Sequence, residues 1–145
     1  MLATPSTEIP ILLTHPTHRA SQSYTVSKAA IRTRVDEAGS VISRSQFRID
    51  GSVASLEVQL PEGLVLDGLW WNDERLRDTG DSRVVRDAGR FLVQVADTPQ
   101  SGSHLLTIET HSKSSPSSWN TWHRLSVPRL GTDTWVNETV WQVML

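Results

Sequence analysis

The sequence contains no cysteine, only one tyrosine and only two phenylalanines among its 145 residues. Without cysteine there can be no disulfides or thiolate metal sites, so redox chemistry gives no information about the compartment. The net charge is −2 with both signs interspersed, which argues against a nucleic-acid partner because sequence-independent binders need a basic surface. No apolar run approaches the roughly 18 residues of a membrane-spanning helix, so we expect no such segment.

Apolar residues recur at every second position at the start of the stretch 56–71. Leu56, Val58 and Leu60 alternate with polar residues, which predicts a strand with one buried face and one solvated face. A turn is expected at 61–63, because a proline cannot donate to a sheet ladder and a glycine tolerates positive φ.

The strand after this turn ends in two adjacent tryptophans. The alternation predicts Leu64, Leu66 and Trp70 on one side of the strand, with Leu69 and Trp71 on the other. Neighbouring residues of a strand face opposite ways, so one of the two indoles is expected to point away from the core.

The segment 24–35 allows two predictions. A serine before Lys-Ala-Ala and a glycine beyond the segment fit the caps of a short helix. However, Ile31, Thr33 and Val35 alternate with arginines, and a second alternating stretch at 41–49 follows after a short turn. We favour a β-hairpin.

Turn signals along the rest of the chain recur every ~8–12 residues, without a sustained helical period. The expected fold is all-β, an antiparallel β-sandwich of about eight or nine strands, favoured over a closed barrel. Residues 1–22 are expected to form an extended or poorly ordered arm, and residues 23–145 the sandwich domain. The sequence stops within an apolar strand pattern, so we expect a fragment of a longer chain.

Two acidic patterns suggest chemistry. Asp78-Thr79-Gly80 resembles the aspartic-protease triplet, but that chemistry needs two carboxylates sharing a proton, and a polar turn explains the tripeptide better. A calcium site would need six to eight oxygens. Arginines interleave the acidic residues, so a solvated loop is expected for Asp73, Glu74, Asp78 and Asp81.

Nitrogen ligands are also sparse. Structural zinc usually needs four ligands, often thiolates, and the sequence has no cysteine. We interpret all five histidines as surface or strand-end residues: His15, His18, His104, His111 and His123. No nucleophile motif or phosphate-cradling glycine loop occurs. We therefore expect no catalytic residues, no metal and no cofactor.

The aromatic content is skewed towards six tryptophans: Trp70, Trp71, Trp119, Trp122, Trp135 and Trp141. One interpretation is packing in the core or against another domain, with each indole N–H bonded to a backbone carbonyl. A second is a platform that stacks on sugar rings, for which the candidate residues are Trp71, Trp122 and Trp135. A third is an oligomer interface.

The turn and strand segments Leu60-Pro61-Glu62-Gly63, Trp71-Asn72-Asp73-Glu74, 89–93 and 103–108 resemble immunoglobulin-like or jelly-roll sandwich modules of large bacterial envelope or surface proteins. The Cys…Trp…Cys hallmark of antibody-type domains is missing. The resemblance implies a non-catalytic accessory or scaffold module, and an extracellular or envelope location over a cytoplasmic one.

The sequence thus predicts a non-enzymatic module of a larger protein. Its expected partners are other domains of the same polypeptide or separate proteins. The alternative is a carbohydrate-binding module that uses exposed tryptophans.

Overall fold

The structure, a computed structural model, describes residues 24–35, 40–76, 83–87, 89–96, 98, 100–112, 125–131 and 134–144. These residues contain no helix, and hence none that could cross a bilayer. They form ten strands: β1 Tyr24–Val35, β2 Val41–Val53, β3 Ser55–Gln59, β4 Leu64–Trp71, β5 Glu74–Leu76, β6 Val84–Asp87, β7 Arg90–Gln94, β8 Gln100–Ser112, β9 Arg129–Leu130 and β10 Thr139–Met144. The predicted arm, residues 1–22, lies outside the described residues.

The strands form two sheets. The larger sheet has the order β10-β1-β2-β8-β4-β5, and the smaller has the order β6-β7-β3-β9. All pairings except that of β1 with β10 are antiparallel. The all-β sandwich prediction is confirmed, with ten strands in the described residues against the eight or nine expected.

The first two strands form the predicted hairpin, and the helix interpretation of 24–35 is wrong. Their register runs from Tyr24 opposite Gly51 to Val35 opposite Val41. The hairpin forms because alternate residues of both strands bury on one face while charged residues occupy the other. One irregularity, between Val26 and Lys28, interrupts the ladder.

One hydrophobic core lies between the two sheets. Leu56 and Val58 are buried as predicted, and Leu60 packs against the core while partly exposed. Full burial of one such side chain contributes about 1.5–3 kcal/mol. Both sheets supply members of the core, which are Val26, Ala29, Phe47, Ile49, Val53, Leu56, Val58, Leu69, Trp71, Leu76, Val84, Phe91, Val93, Leu106, Ile108 and Leu130.

A β-bulge in β4 changes which tryptophan faces the core. Leu66 is opposite Thr110 and Gly68 is opposite Glu109, so Asp67 is an extra residue in the ladder. The bulge shifts the alternation, and Leu66 therefore contacts the core from the same side as Leu69. The prediction that placed Leu66 and Trp70 together on one side is wrong for this reason.

The inner face of the larger sheet becomes polar towards one end. The hydroxyls of Thr33 and Ser43 lie 3.0 Å apart, and Nε1 of Trp141 donates to Oγ1 of Thr33 at 2.9 Å. Trp141 thereby satisfies its indole N–H through a side-chain hydroxyl, where a backbone carbonyl was expected. The bond also fixes β10 to β1 through their side chains.

Candidate interaction face

The outer face of the larger sheet carries a group of arginines. Arg32 and Arg34 project from β1, and Arg44 projects from β2, on the side opposite the core. Arg32 and Arg44 are directly opposite each other in the ladder, and Arg34 is two residues further along β1. We call these three residues the arginine patch.

The charge of this patch is largely uncompensated. Glu109 lies 3.5 Å from Arg44, while Arg32 and Arg34 form no ion pair within the described part of the chain. Like charges directly opposite each other on adjacent strands destabilise a sheet. The patch is therefore a local concentration of positive charge on a chain whose net charge is −2.

The cations at the other end of the same face are compensated. Nζ of Lys28 lies 3.2 Å from Oε1 of Glu138. Hydrogen bonds from Ser27 and Ser103 hold the pKa of Asp50 below its ordinary value, and the nearby charge of Arg48 adds to this effect. The carboxylate of Asp50 thus stays ionised near Arg48, so both of these cations have an acidic group close by.

Exposed apolar side chains surround the arginine patch. Arg34 is opposite Ile42 on one side and Met144 on the other, and these two residues are 53% and 42% exposed. Val140, also on the outer face of β10, is 44% exposed. Arginine and methionine are enriched in protein interfaces, so this composition is typical of a docking surface.

Trp70 covers the neighbouring part of the face. It is opposite Thr107, which is buried, and its six-membered ring occupies the space that a Cβ of Gly68 would fill. The guanidinium of Arg75 lies 5.5 Å from the ring centroid of Trp70, a cation–π contact. Only a glycine in the bulge leaves room for the indole to lie across the sheet.

The bulge residue Asp67 joins β4 to β8. Its Oδ1 lies 2.7 Å from Nδ1 of His111, and both side chains are about 40% exposed. A histidine paired with a carboxylate is a component of acid–base catalysis. Here the pair connects the extra residue of the bulge to the neighbouring strand, which stabilises the irregularity.

The predicted sugar platform is not assembled as expected. Trp71 is only 5% exposed and stacks on His104, with ring centroids 4.9 Å apart and planes at 21°. Trp70 faces outwards instead. The prediction that Trp71 is an exposed platform residue is wrong, because the bulge turns its side chain towards the core. Trp122 lies outside the described residues.

Trp135 is partly buried and sits at the opposite side of the larger sheet from Trp71. Its carbonyl accepts a hydrogen bond from the amide of Val26 in β1 at 3.3 Å. Four strand spacings, roughly 19 Å, separate it from β4, so Trp71 and Trp135 cannot stack on one sugar ring. Sugar stacking on Trp122 or on Trp135 alone stays a prediction.

His104 is buried, 8% exposed, which corrects its interpretation as a surface residue. Nδ2 of Asn72 donates to Nδ1 of His104 at 3.2 Å, while Oδ1 of Asn72 accepts from the amide of Leu105 at 2.9 Å. Because Nδ1 is an acceptor in this arrangement, His104 carries its proton on Nε2. The turn between β4 and β5 is thereby fixed to β8.

The acidic residues behave as a solvated surface where they are described. Glu74 is paired with Arg83 at 3.0 Å, and Asp73 is exposed. The described ranges contain no group of three or more metal-ligating side chains that could hold an ion. Residues 78–81, which include the protease-like tripeptide, lie outside the described residues.

The arginine patch was not predicted from the sequence. The alternation of arginines with apolar residues in 24–35 indicates one solvated face, but the opposition of Arg32 and Arg44 depends on the hairpin register. A turn one residue longer would change the register and the partners of every outer residue.

No family model and no curated protein matches the sequence. Among solved structures, this chain is similar to aminopeptidase A of Legionella pneumophila in complex with aspartic acid, at 14% identity and a TM-score of 0.50. The similarity covers 63% of this chain and 11% of the aminopeptidase chain. The M1 zinc metallopeptidase of Deinococcus radiodurans is 14% identical, over 63% of this chain and 21% of its own, with a TM-score of 0.49. Yeast LTA4 hydrolase in complex with bestatin is 14% identical, over 61% of this chain and 14% of its own, with a TM-score of 0.46.

At 14% identity, the similarity to the Legionella aminopeptidase shows the fold alone. The chain spans 11% of the length of the Legionella aminopeptidase. The resemblance to envelope modules stays a prediction. The described sandwich is therefore similar in fold to a small part of that much longer chain.

Proposed function

We propose that this chain is a non-enzymatic interaction module that binds an acidic protein surface through the arginine patch and its apolar surround. The acidic surface belongs either to another domain of the same polypeptide or to a separate protein. The observation that carries the proposal is the cross-strand opposition of Arg32 and Arg44, with Arg34 beside them.

The opposition of Arg32 and Arg44 has an energetic cost that folding alone does not explain. Two charges of the same sign that face each other across neighbouring strands destabilise the sheet by up to about 1 kcal/mol. A neutral residue at position 32 would remove this cost. An acidic partner converts the repulsion into favourable charge-assisted bonds, because planar guanidinium groups match carboxylates in bidentate geometry.

The apolar surround supplies the second part of the argument. Ile42, Val140 and Met144 expose about half of their surfaces, and their burial would contribute affinity that charge pairs at a wet surface do not. The similarity of the fold to a small part of the Legionella aminopeptidase chain also supports a module that works within a larger protein.

The test compares two charge reversals of exposed arginines. The probe is poly-L-glutamate, with its affinity measured by fluorescence anisotropy at several salt concentrations. Arg34→Glu should weaken binding at least about tenfold and reduce its salt dependence, since it removes charge from the arginine patch. Arg129→Glu, a matched change on the smaller sheet, should have little effect.

An equal loss for both variants would show that only net charge matters, and would contradict the proposal. Tighter binding of duplex DNA than of poly-L-glutamate to the unmodified chain would point to a nucleic-acid partner and also contradict it. Circular dichroism of both variants confirms that each retains the sandwich.

A further inference from the structure

Among the four sheet edges formed by the described residues, the outer edge of β10 is the least protected. Sheet edges are usually blunted by charge, proline, bulges or short length, because unpaired backbone groups attract other strands. The other three edge strands follow this rule: β5 has three residues including Glu74 and Arg75, β6 contains Arg86 and Asp87, and β9 has two residues including Arg129. In contrast, the six residues of β10 include no charged residue and no proline.

The hydrogen-bonding groups of this edge have a defined direction. The amide of Ala29 donates to the carbonyl of Glu138 at 2.7 Å, and Ala29 is in register with Thr139. In a parallel ladder this geometry directs the even-numbered residues of β10 towards β1. The N–H and C=O groups of Thr139, Trp141 and Val143 therefore point to the outer edge, where no strand of the described chain pairs with them.

We infer that β10 pairs antiparallel with β10 of a second copy of this chain. The larger sheet of one copy and the larger sheet of the other then form one continuous sheet. A second copy is the occupant that the strand itself favours, because an uncharged strand meets no repulsion when it pairs with itself. A twofold axis perpendicular to the sheet keeps the outer faces of both copies on the same side.

The direction of the backbone groups selects the register. With the axis at Trp141, each Trp141 faces that of the other copy and each Thr139 faces Val143 of the other copy. These are all hydrogen-bonded positions, so three residue pairs close six backbone hydrogen bonds. Val140 then lies opposite Gln142 of the other copy, at a position without hydrogen bonds where the Cα atoms are about 4.5 Å apart.

The first experiment measures association by sedimentation velocity up to about 200 µM. The unmodified chain should show a concentration-dependent dimer. Val143→Pro removes an outward N–H and should raise the dimer dissociation constant at least about tenfold. Val143→Thr keeps the N–H and the branched side chain, and should remain dimeric.

The second experiment tests the register without a disruptive substitution. The chain has no cysteine, so an oxidised mixture of Val140→Cys and Gln142→Cys chains should give the mixed disulfide dimer, whereas Val140→Cys alone should give much less. A monomer at every concentration, or a dimer that Val143→Pro leaves unchanged, would overturn the inference. Absence of the mixed disulfide would overturn the register. Val143→Pro leaves the arginine patch and Val140 unchanged, so poly-L-glutamate binding by this variant tests the first proposal separately from dimerisation.

Discussion

The turn between β4 and β5 provides a sharp test of what holds the larger sheet together. Asn72 and Asp73 both have positive φ, 48° and 68°, which is the geometry of a tight hairpin turn. Asn72 additionally bonds His104 and the amide of Leu105 through its side chain. Asn72→Ala removes both side-chain bonds. It also leaves a residue without a polar side chain in the left-handed conformation, which asparagine tolerates better than alanine.

The expected loss can be worked out from these contacts. Each lost hydrogen bond costs about 0.5–1.5 kcal/mol, and the left-handed backbone costs an alanine roughly 1 kcal/mol more. Asn72→Ala should therefore lower the free energy of unfolding by about 3 kcal/mol. Asn72→Gly loses the same bonds but tolerates the backbone, and should cost about 1 kcal/mol less.

The matched control is Asp73→Ala, because Asp73 shares the backbone strain but forms no side-chain hydrogen bond within the described ranges. It should cost only about 1 kcal/mol. Urea unfolding followed by tryptophan fluorescence measures all three variants. If Asn72→Ala costs no more than Asp73→Ala, the side-chain bonds of Asn72 contribute nothing and the reasoning is refuted.

Three further predictions use other parts of the core and face. Burial raises the pKa of Tyr24, the only tyrosine, above 10.0. The stability that the neutral phenol provides is therefore complete below pH 10 and is lost as the pH rises through the folded-state value. Absorbance at 295 nm should show a higher midpoint in buffer than in urea, and equal midpoints would contradict this. Gly68→Ala should destabilise the fold by about 1 kcal/mol by displacing the indole of Trp70, and the cost should vanish in a Trp70→Ala background; an unchanged cost would place its origin elsewhere. Leu56→Ala should cost about 3 kcal/mol because it opens a cavity, whereas Leu92→Ala, at a residue that is 50% exposed, should cost well under 1 kcal/mol in the same unfolding assay; similar losses would contradict the assigned core.

Local alternation is enough to predict the hairpin of β1 and β2 and the burial of Leu56 and Val58. These features depend only on which residues share a face, and that follows from a period of two. The exchange of Trp70 and Trp71 could not be predicted in this way. One extra residue at Asp67 reverses the alternation, and a bulge leaves no periodic signal of its own.

The proposed interaction face was harder to predict than the fold. The arginine patch exists because the length of the turn brings Arg44 opposite Arg32. The sequence of either strand alone does not predict this register. The burial of His104 likewise depends on Asn72 and Trp71, which approach it from another strand. Residues distant in sequence determine both environments.

The parallel pair of β1 and β10 has a kinetic consequence. The ion pair of Lys28 in β1 with Glu138, the residue before β10, joins positions 110 residues apart. The entropy of closing a very long loop must therefore be overcome before this contact can form. During synthesis, β1 can pair with β2 long before β10 has left the ribosome. One edge of β1 therefore stays without its partner strand until nearly all of the described chain has been synthesised.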